Sequence, residues 1–288
     1  MEAKILVIGG TGNIGKELVK LLTENGHKVR AAIRPASRTE ELQAFGAELV
    51  SANLEDQTSL VNAMNGIEKV YFATPFVPNM VELSMNIIKA AKESEVKHLV
   101  KISGAGADLE AITMAKWHRA IEKEMEQSGI AYTFLRPNSF MQNVVNFSSH
   151  TIKDHGAFYA PIGDGQVAMI DARNVAKIAF HVLTEEGHEN KAYYLSGPEA
   201  ISFQKMAEIL SDVTGKSIRY VDVPAESARQ SMLDAGMPVE TTDALLELYH
   251  INKLGYTAEV SDSIEMITGQ KAVTFESFAN DYKSAFKD

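Results

Sequence analysis

Gly9, Gly12 and Gly15 stand three residues apart between the apolar run Ile5–Ile8 and a stretch with Ile14, Leu18, Leu21 and Leu22 at helical spacing. A glycine turn between a buried strand and a helix leaves bare amides at the helix N-terminus, which is where a pyrophosphate binds. Thr11, Asn13 and Ile14 complete that turn, and Gly10, Gly12, Gly15 is a second register that the spacing leaves open. The next strand, HKVRAAIRP, ends without an acid and with Arg34 and Arg38 beside the turn. An acid there would hold a ribose 2'-hydroxyl, whereas arginine suits a 2'-phosphate, so NADP(H) is expected over NAD(H).

Other chemistry-bearing residues lie further along. Ser103 ends the strand in HLVKISGAGAD, where its hydroxyl could either polarise a substrate or bond to backbone. His118 sits one helical turn from Met114 and from Glu122, at the edge of an apolar stripe of Met114, Trp117, Ile121 and Met125. After strand IAYTFLRP the loop Asn138, Ser139, Phe140, Met141, Gln142, Asn143 mixes amides with one aromatic, a composition suited to orienting a flat ligand. Asp171 is placed to cap a helix at Ala172–Leu183, and the remaining histidines form no ligand set, so no metal site is expected.

The elements that must position these groups alternate. Strands are predicted at Ile5–Ile8, at HKVRAAIRP, at AELVSANLED, at KVYFATP and at HLVKISGAGAD, each followed by a helical segment. The last of these helices is predicted to run from Leu109 to Gly129. Such alternation implies a doubly wound parallel sheet. The ends of its strands, Asn53 and Leu54 in one case and Ala73, Thr74 and Pro75 in another, then lie above one crevice. From about His150 the alternation stops, which suggests a dinucleotide-binding domain at 1–150 and a smaller substrate-binding lobe at 151–288, with some chain crossing back.

Composition excludes several classes. The 288 residues, 45% of them hydrophobic, suffice for a well-filled core. A net charge of −10 argues against a nucleic-acid surface. Zero cysteines exclude disulfides and thiolate chemistry and suit a cytoplasmic location. With strand one predicted from Ile5, no signal peptide is expected, and no apolar run is long enough to span a membrane as a helix. The expected partner is a small-molecule substrate, with room left for a homodimer.

The motifs GGTGNIG, KISGAG, HRAIEKEMEQSGIAYTFLRPNSFMQN and TEEGHENKAYYLSGPEAISFQKMAEILSDVTGK cover nearly the whole chain between them. In them the chain resembles the NmrA-like branch of the atypical short-chain dehydrogenases/reductases, which includes triphenylmethane-dye and quinone reductases. The resemblance implies a Rossmann-type α/β fold with a smaller C-terminal α/β lobe. It implies NADP(H) on Gly9, Gly12 and Gly15, with Arg34 at the 2'-phosphate, Asn53 near the adenine, and Thr74, Pro75 and Pro137 toward the ribose and nicotinamide. Carbonyl reductases of that superfamily use a Tyr and, four residues on, a Lys; here those places fall on Met114 and His118. Met cannot donate a proton. The implied activity is therefore hydride transfer to flat conjugated acceptors, with His118 oriented by Glu122 and with Phe140 and Asn143 at the acceptor. The same missing Tyr also suits a redox sensor that binds NADP without turnover.

Overall fold

The computed structural model describes residues 3–34 and 39–287. Its first half builds the alternation. Strand β1 (Ile5–Ile8) leads to α1 (Asn13–Glu24), then β2 (Val29–Ile33), α2 (Glu40–Ala44), β3 (Glu48–Ser51) and α3 (Gln57–Met64). β4 (Lys69–Phe72), α4 (Met80–Glu93), β5 (His98–Ile102), α5 (Thr113–Gln127) and β6 (Ala131–Pro137) continue it. The chain then runs through a π-helical stretch at Val144–Ser148 into α6 (Ser149–His155), β7 (Ala157–Ala160) and β8 (Gln166–Val167). It returns by α7 (Ala172–Thr184) to β9 (Lys191–Leu195). β10 (Ile201–Ser202), α8 (Phe203–Thr214), β11 (Arg219–Asp222), α9 (Ala225–Asp234), α10 (Val239–Lys253), α11 (Ser263–Thr268) and α12 (Phe275–Asp281) finish the chain.

Seven strands form one sheet in the order β3-β2-β1-β4-β5-β6-β9. The pairs from β3 through β6 are parallel. Asn190 N bonds Tyr132 O and Asn138 N bonds Leu195 O, so β9 advances in step with β6 and is parallel to it as well. β1, β4 and β5 are buried on both faces, which is why they read as apolar runs and not as alternating ones. Register places Ala32, Ile8, Phe72, Lys101 and Phe134 in one row across five strands. Four of the five join the apolar core under α3, α4 and α5. The fifth is a lysine.

The chain folds into two compact units: Met1–Ala111, Ala115–Arg136 and Val175–Tyr194 in one, Ile112–Met114, Pro137–Asn174 and Leu195–Asp288 in the other. The division thus falls between Arg136 and Pro137, earlier than the expected 150, and most of α7 and β9 returns to the first unit. β9, beyond the expected boundary, accordingly closes the main sheet beside β6. The second unit has its own core, in which Phe158, Met206, Leu210, Phe275 and Phe278 pack together. Its α8 is bounded by its own residues: Ser202 Oγ accepts from Lys205 N at one end, and Gly215 stops the helix with φ +72° at the other.

The helix expected over Leu109–Gly129 is shorter. Gly106 and Glu110 take left-handed backbone around a single 3-10 turn at Ala107–Leu109, and α5 begins only at Thr113. A non-glycine residue at φ +51° cannot continue an α-helix, so Glu110 breaks it. Among the described residues no helix is long and apolar enough to cross a membrane.

Candidate active site

The glycine turn resolves its own register. Gly9 has φ +88° and its carbonyl accepts from Gly12 N at 3.0 Å. A Cβ on Gly15 would fall inside the van der Waals sphere of that same carbonyl, with Gly10 Cα also 2.8 Å away. Gly10 has no such constraint, since a Cβ there would sit 3.4 Å from the Ala31 methyl. Gly9, Gly12 and Gly15 are therefore the structural triplet. A Cβ on Gly9 would also meet Ala73 O at 3.0 Å, which brings the turn against the end of β4.

A phosphate fits what this turn offers. α1 has no side-chain cap and no acid in its first turn, in contrast to α3, where Asp56 accepts from Thr58 N and Ser59 N. Its opening amides are free of capping side chains that would compete with an anion. Thr11, Gly12 and Asn13 are exposed, while Ile14, Leu18, Val19 and Leu22 anchor the helix inward; Val19 takes the place expected for Leu21. Arg34 follows β2 and is exposed. Arg38 lies outside the described residues.

The strand ends are ordered by their own side chains. Asn53 Oδ1 accepts from Glu55 N at 3.1 Å, and Leu54 O accepts from Asn86 Nδ2 at 3.0 Å. β4 ends at Phe72, and beyond it Thr74 Oγ1 lies 3.0 Å from Ser84 Oγ. In the second unit, Asn138 is buried: its Nδ2 donates to Thr257 O and its Oδ1 accepts from Ser139 N. Its amide is spent on ordering the loop after Pro137. Phe140 pairs with Ile170 by a β-bridge, and Asn143 leads into the π-helical stretch. Both are partly exposed. Gln142 holds Asp171 and Ala172 N, while Asp171 accepts from Arg173 N, so Asp171 caps α7 as expected.

Around α5 the partners differ from the helix-spacing expectation. Glu122 is fully buried, and its carboxylate accepts from Ser103 Oγ at 2.7 Å and from Arg136 Nε and Nη2 at 3.0 and 2.8 Å. Arg119 Nη1 adds a fourth bond at 3.2 Å. Glu122 thus serves Ser103 and two arginines and does not orient His118. Burial pushes its carboxyl up, but the Arg136 and Ser103 hydrogen bonds and the Arg136 and Lys101 charges outweigh burial and hold it below the usual range. The Ser103 hydroxyl, one of whose readings was a bond to backbone, spends its proton on this carboxylate.

His118 instead meets Lys101. Nζ of Lys101 is 2.9 Å from His118 Nδ1 and also donates to Ile102 O at 2.9 Å. Lys101 is completely buried, and burial lowers its amine from 10.5 to about 7 against the favourable charge of Glu122. Burial, then the Lys101 charge, carries His118 well below its ordinary value, so the imidazole is neutral at pH 7. Its other edge packs on Gly104 just past the end of β5, where a Cβ would come within 2.8 Å of Cδ2 and 3.3 Å of Nε2. Gly104 is what admits the ring. Lys101 and Arg136 were not singled out from the sequence, although a lysine inside HLVKI, in a strand buried on both faces, was the available signal.

A doubly wound parallel sheet carrying this glycine cradle defines a Rossmann-type dinucleotide-binding protein. The model of the NmrA-like family matches residues 1–283, and the chain belongs to that family. It is 40% identical to an NAD(P)H azoreductase of Xenophilus azovorans over 283 residues, 98% of this chain and 99% of the relative. Among solved structures it resembles the Citrobacter sp. triphenylmethane reductase complexed with NADP(H), with TM-score 0.84 and 29% identity over 97% of this chain and 99% of that one. The Escherichia coli NADPH-dependent quinone oxidoreductase complexed with NADPH is similar too, with TM-score 0.85 and 26% identity over 96% and 99% of the two chains.

Proposed function

We propose that this chain is an NAD(P)H-dependent oxidoreductase, with NADPH preferred, that reduces flat conjugated acceptors of the quinone, azo or triphenylmethane type. The likeness to an azoreductase, a quinone oxidoreductase and a triphenylmethane reductase supports the class. The observation that carries the reading is His118 of α5 held over Gly104 at the end of β5 with Lys101 at its Nδ1; the resemblance implies that Met114 stands where a carbonyl reductase of the superfamily has its tyrosine. An acceptor that takes hydride at a conjugated centre makes less demand on a strong fixed acid than a simple ketone does.

In this reading Gly9, Gly12 and Gly15 admit the pyrophosphate to the amides of α1, and Arg34 holds the 2'-phosphate. Asn53 and Leu54 lie toward the adenine, and Ala73, Thr74, Pro75 and Pro137 toward the ribose and nicotinamide. The bound dinucleotide supplies the hydride. His118 presents a proton at Nε2, Ser103 and Glu122 brace the end of β5, and Phe140 and Asn143 flank the acceptor. Asn138 is left with the structural role its buried amide already fills.

The test follows the loss of reduced-nicotinamide absorbance with purified protein, NADPH or NADH, and a panel of quinones, azo dyes and simple ketones. Turnover with quinones or dyes, faster with NADPH and absent with ketones, is expected. Tight NADPH binding without turnover on any acceptor would overturn the enzyme reading and favour a redox-sensing regulator.

A further inference from the structure

Reduction of a quinone or azo bond to its neutral product needs a proton as well as a hydride, and α5 contains no tyrosine to give it. Behind His118 lies a buried amine that, among the described residues, has no anion in direct contact. Lys101 touches Ile102 O and His118 Nδ1, and its row neighbours Phe72 and Phe134 bring no charge. The charged groups facing it are Glu122 and Arg136, which are bonded to each other. An isolated cation in such a place is expensive unless it has work to do.

We propose that Lys101 is the positioning and proton-holding residue behind His118, forming a two-residue relay that delivers the proton accompanying hydride transfer. This rests on the oxidoreductase reading above. As an ammonium Lys101 has only donors, so Nδ1 of His118 must accept and the imidazole carries its proton on Nε2. The acceptor takes two electrons and one hydrogen as hydride from the reduced nicotinamide. It takes one proton from Nε2, and the bond from Nζ to its proton breaks as Nδ1 gains one. Lys101 is left as the neutral amine and His118 as the Nδ1–H tautomer. After the product departs, a proton from water enters at Nε2 and Nδ1 returns its own to Lys101. The depressed amine value of about 7 suits a group that must give up and regain a proton near neutrality.

Lys101→Gln separates holding a proton from filling space, because its amide can still donate to Nδ1 and Ile102 O but cannot give up a proton. Wild-type kcat for a quinone is expected to fall about tenfold per pH unit above pH ~7, as the ammonium is lost. Lys101→Gln should be slower at pH 6 by on the order of 100-fold, flat with pH, and unchanged in KM for NADPH. A variant with the wild-type rate and pH limb, in an enzyme that does turn over, would overturn the relay alone. Wild-type protein inactive on every acceptor would instead sink the oxidoreductase reading. Nitrogen-15 spectra of cofactor-free wild type, with His118 assigned through His118→Gln, decide the pair independently of turnover or of how the Lys101 variant folds. The Nε2–H tautomer is expected at pH 6, and an Nδ1–H tautomer there would overturn the proposal.

Discussion

Replacing Lys101 by methionine should change how the stability of the first unit depends on pH. The amine falls from 10.5 to about 7 on folding because burial disfavours its charge. Between those two values the unfolded chain binds a proton that the folded chain does not, so wild-type stability rises with pH across the window. The slope reaches about 1.4 kcal/mol per pH unit, and the gain from pH 7 to pH 9 is about 2 kcal/mol. Below pH 7 the full cost of the buried ammonium, on the order of 5 kcal/mol, is present. Methionine removes that cost but leaves His118 Nδ1 and Ile102 O without their donor, at about 1–3 kcal/mol each. The two variants should therefore be close in stability at pH 6, and wild type should lead increasingly at pH 8 and 9. Trp117 is the only tryptophan, lies in the same unit and packs on Phe76 at 5.6 Å, so its fluorescence in urea reports this unfolding directly. Parallel stability profiles for wild type and Lys101→Met from pH 6 to 9 would refute the argument, for they would mean that the amine stays charged throughout.

Other substitutions probe the cradle and the ion cluster. Gly15→Ala drives a methyl into Gly9 O and should cost about 1–3 kcal/mol together with most NADPH affinity, whereas Gly12→Ala, 3.4 Å from that oxygen, should lose affinity with little change in stability. Calorimetric titration paired with urea melts separates the two. Glu122→Ala takes the buried carboxylate from Arg136 and Arg119, which keep Asp108 and Glu126, and should destabilise by about 1–3 kcal/mol at pH 7. Because the folded carboxyl is depressed, this contribution is present above the unfolded pKa and is lost as pH falls through the folded one, so the variant should show a flatter acid limb. Arg34→Ala should weaken NADPH by about 10- to 100-fold and leave NADH nearly unchanged, as loss of one charge-assisted bond requires; equal losses for both would remove Arg34 from the 2'-phosphate. Gly104→Ala pushes on His118 Cδ2 and should lower kcat while sparing NADPH binding.

The parallel sheet was legible because its strands are buried on both faces and alternate with amphipathic helices, a pattern few other folds impose. The cradle was legible for a local reason: three glycines and their flanking elements lie within residues 5–24. What escaped depended on partners distant in sequence. The break before α5 hangs on a single left-handed residue, Glu110, whose type gives no warning. The return of α7 and β9 to the first unit follows from pairing β9 with β6 across more than fifty residues, which no local pattern encodes. Asn138 looked available in a loop of amides and is buried because Thr257, far along the chain, uses its donor.

The same distinction decides the protonation of His118. Helical spacing allows His118 and Glu122 to touch, and a pair of that kind would raise the imidazole toward its cationic form. Two arginines, one from β6 and one from α5 itself, take the carboxylate instead, and Ser103 takes what remains of it. β5 then presents an amine to the vacant Nδ1, and the charge of that amine lowers the imidazole. The exchange of a carboxylate neighbour for an ammonium neighbour reverses the sign of the shift. Lys101→Glu would restore the acid that spacing suggested, and its carboxylate would hold the proton on Nδ1 and raise His118. If His118 is the donor at Nε2, that substitution should abolish turnover at pH 8 more completely than Lys101→Gln, because it fixes the tautomer that has no proton to give.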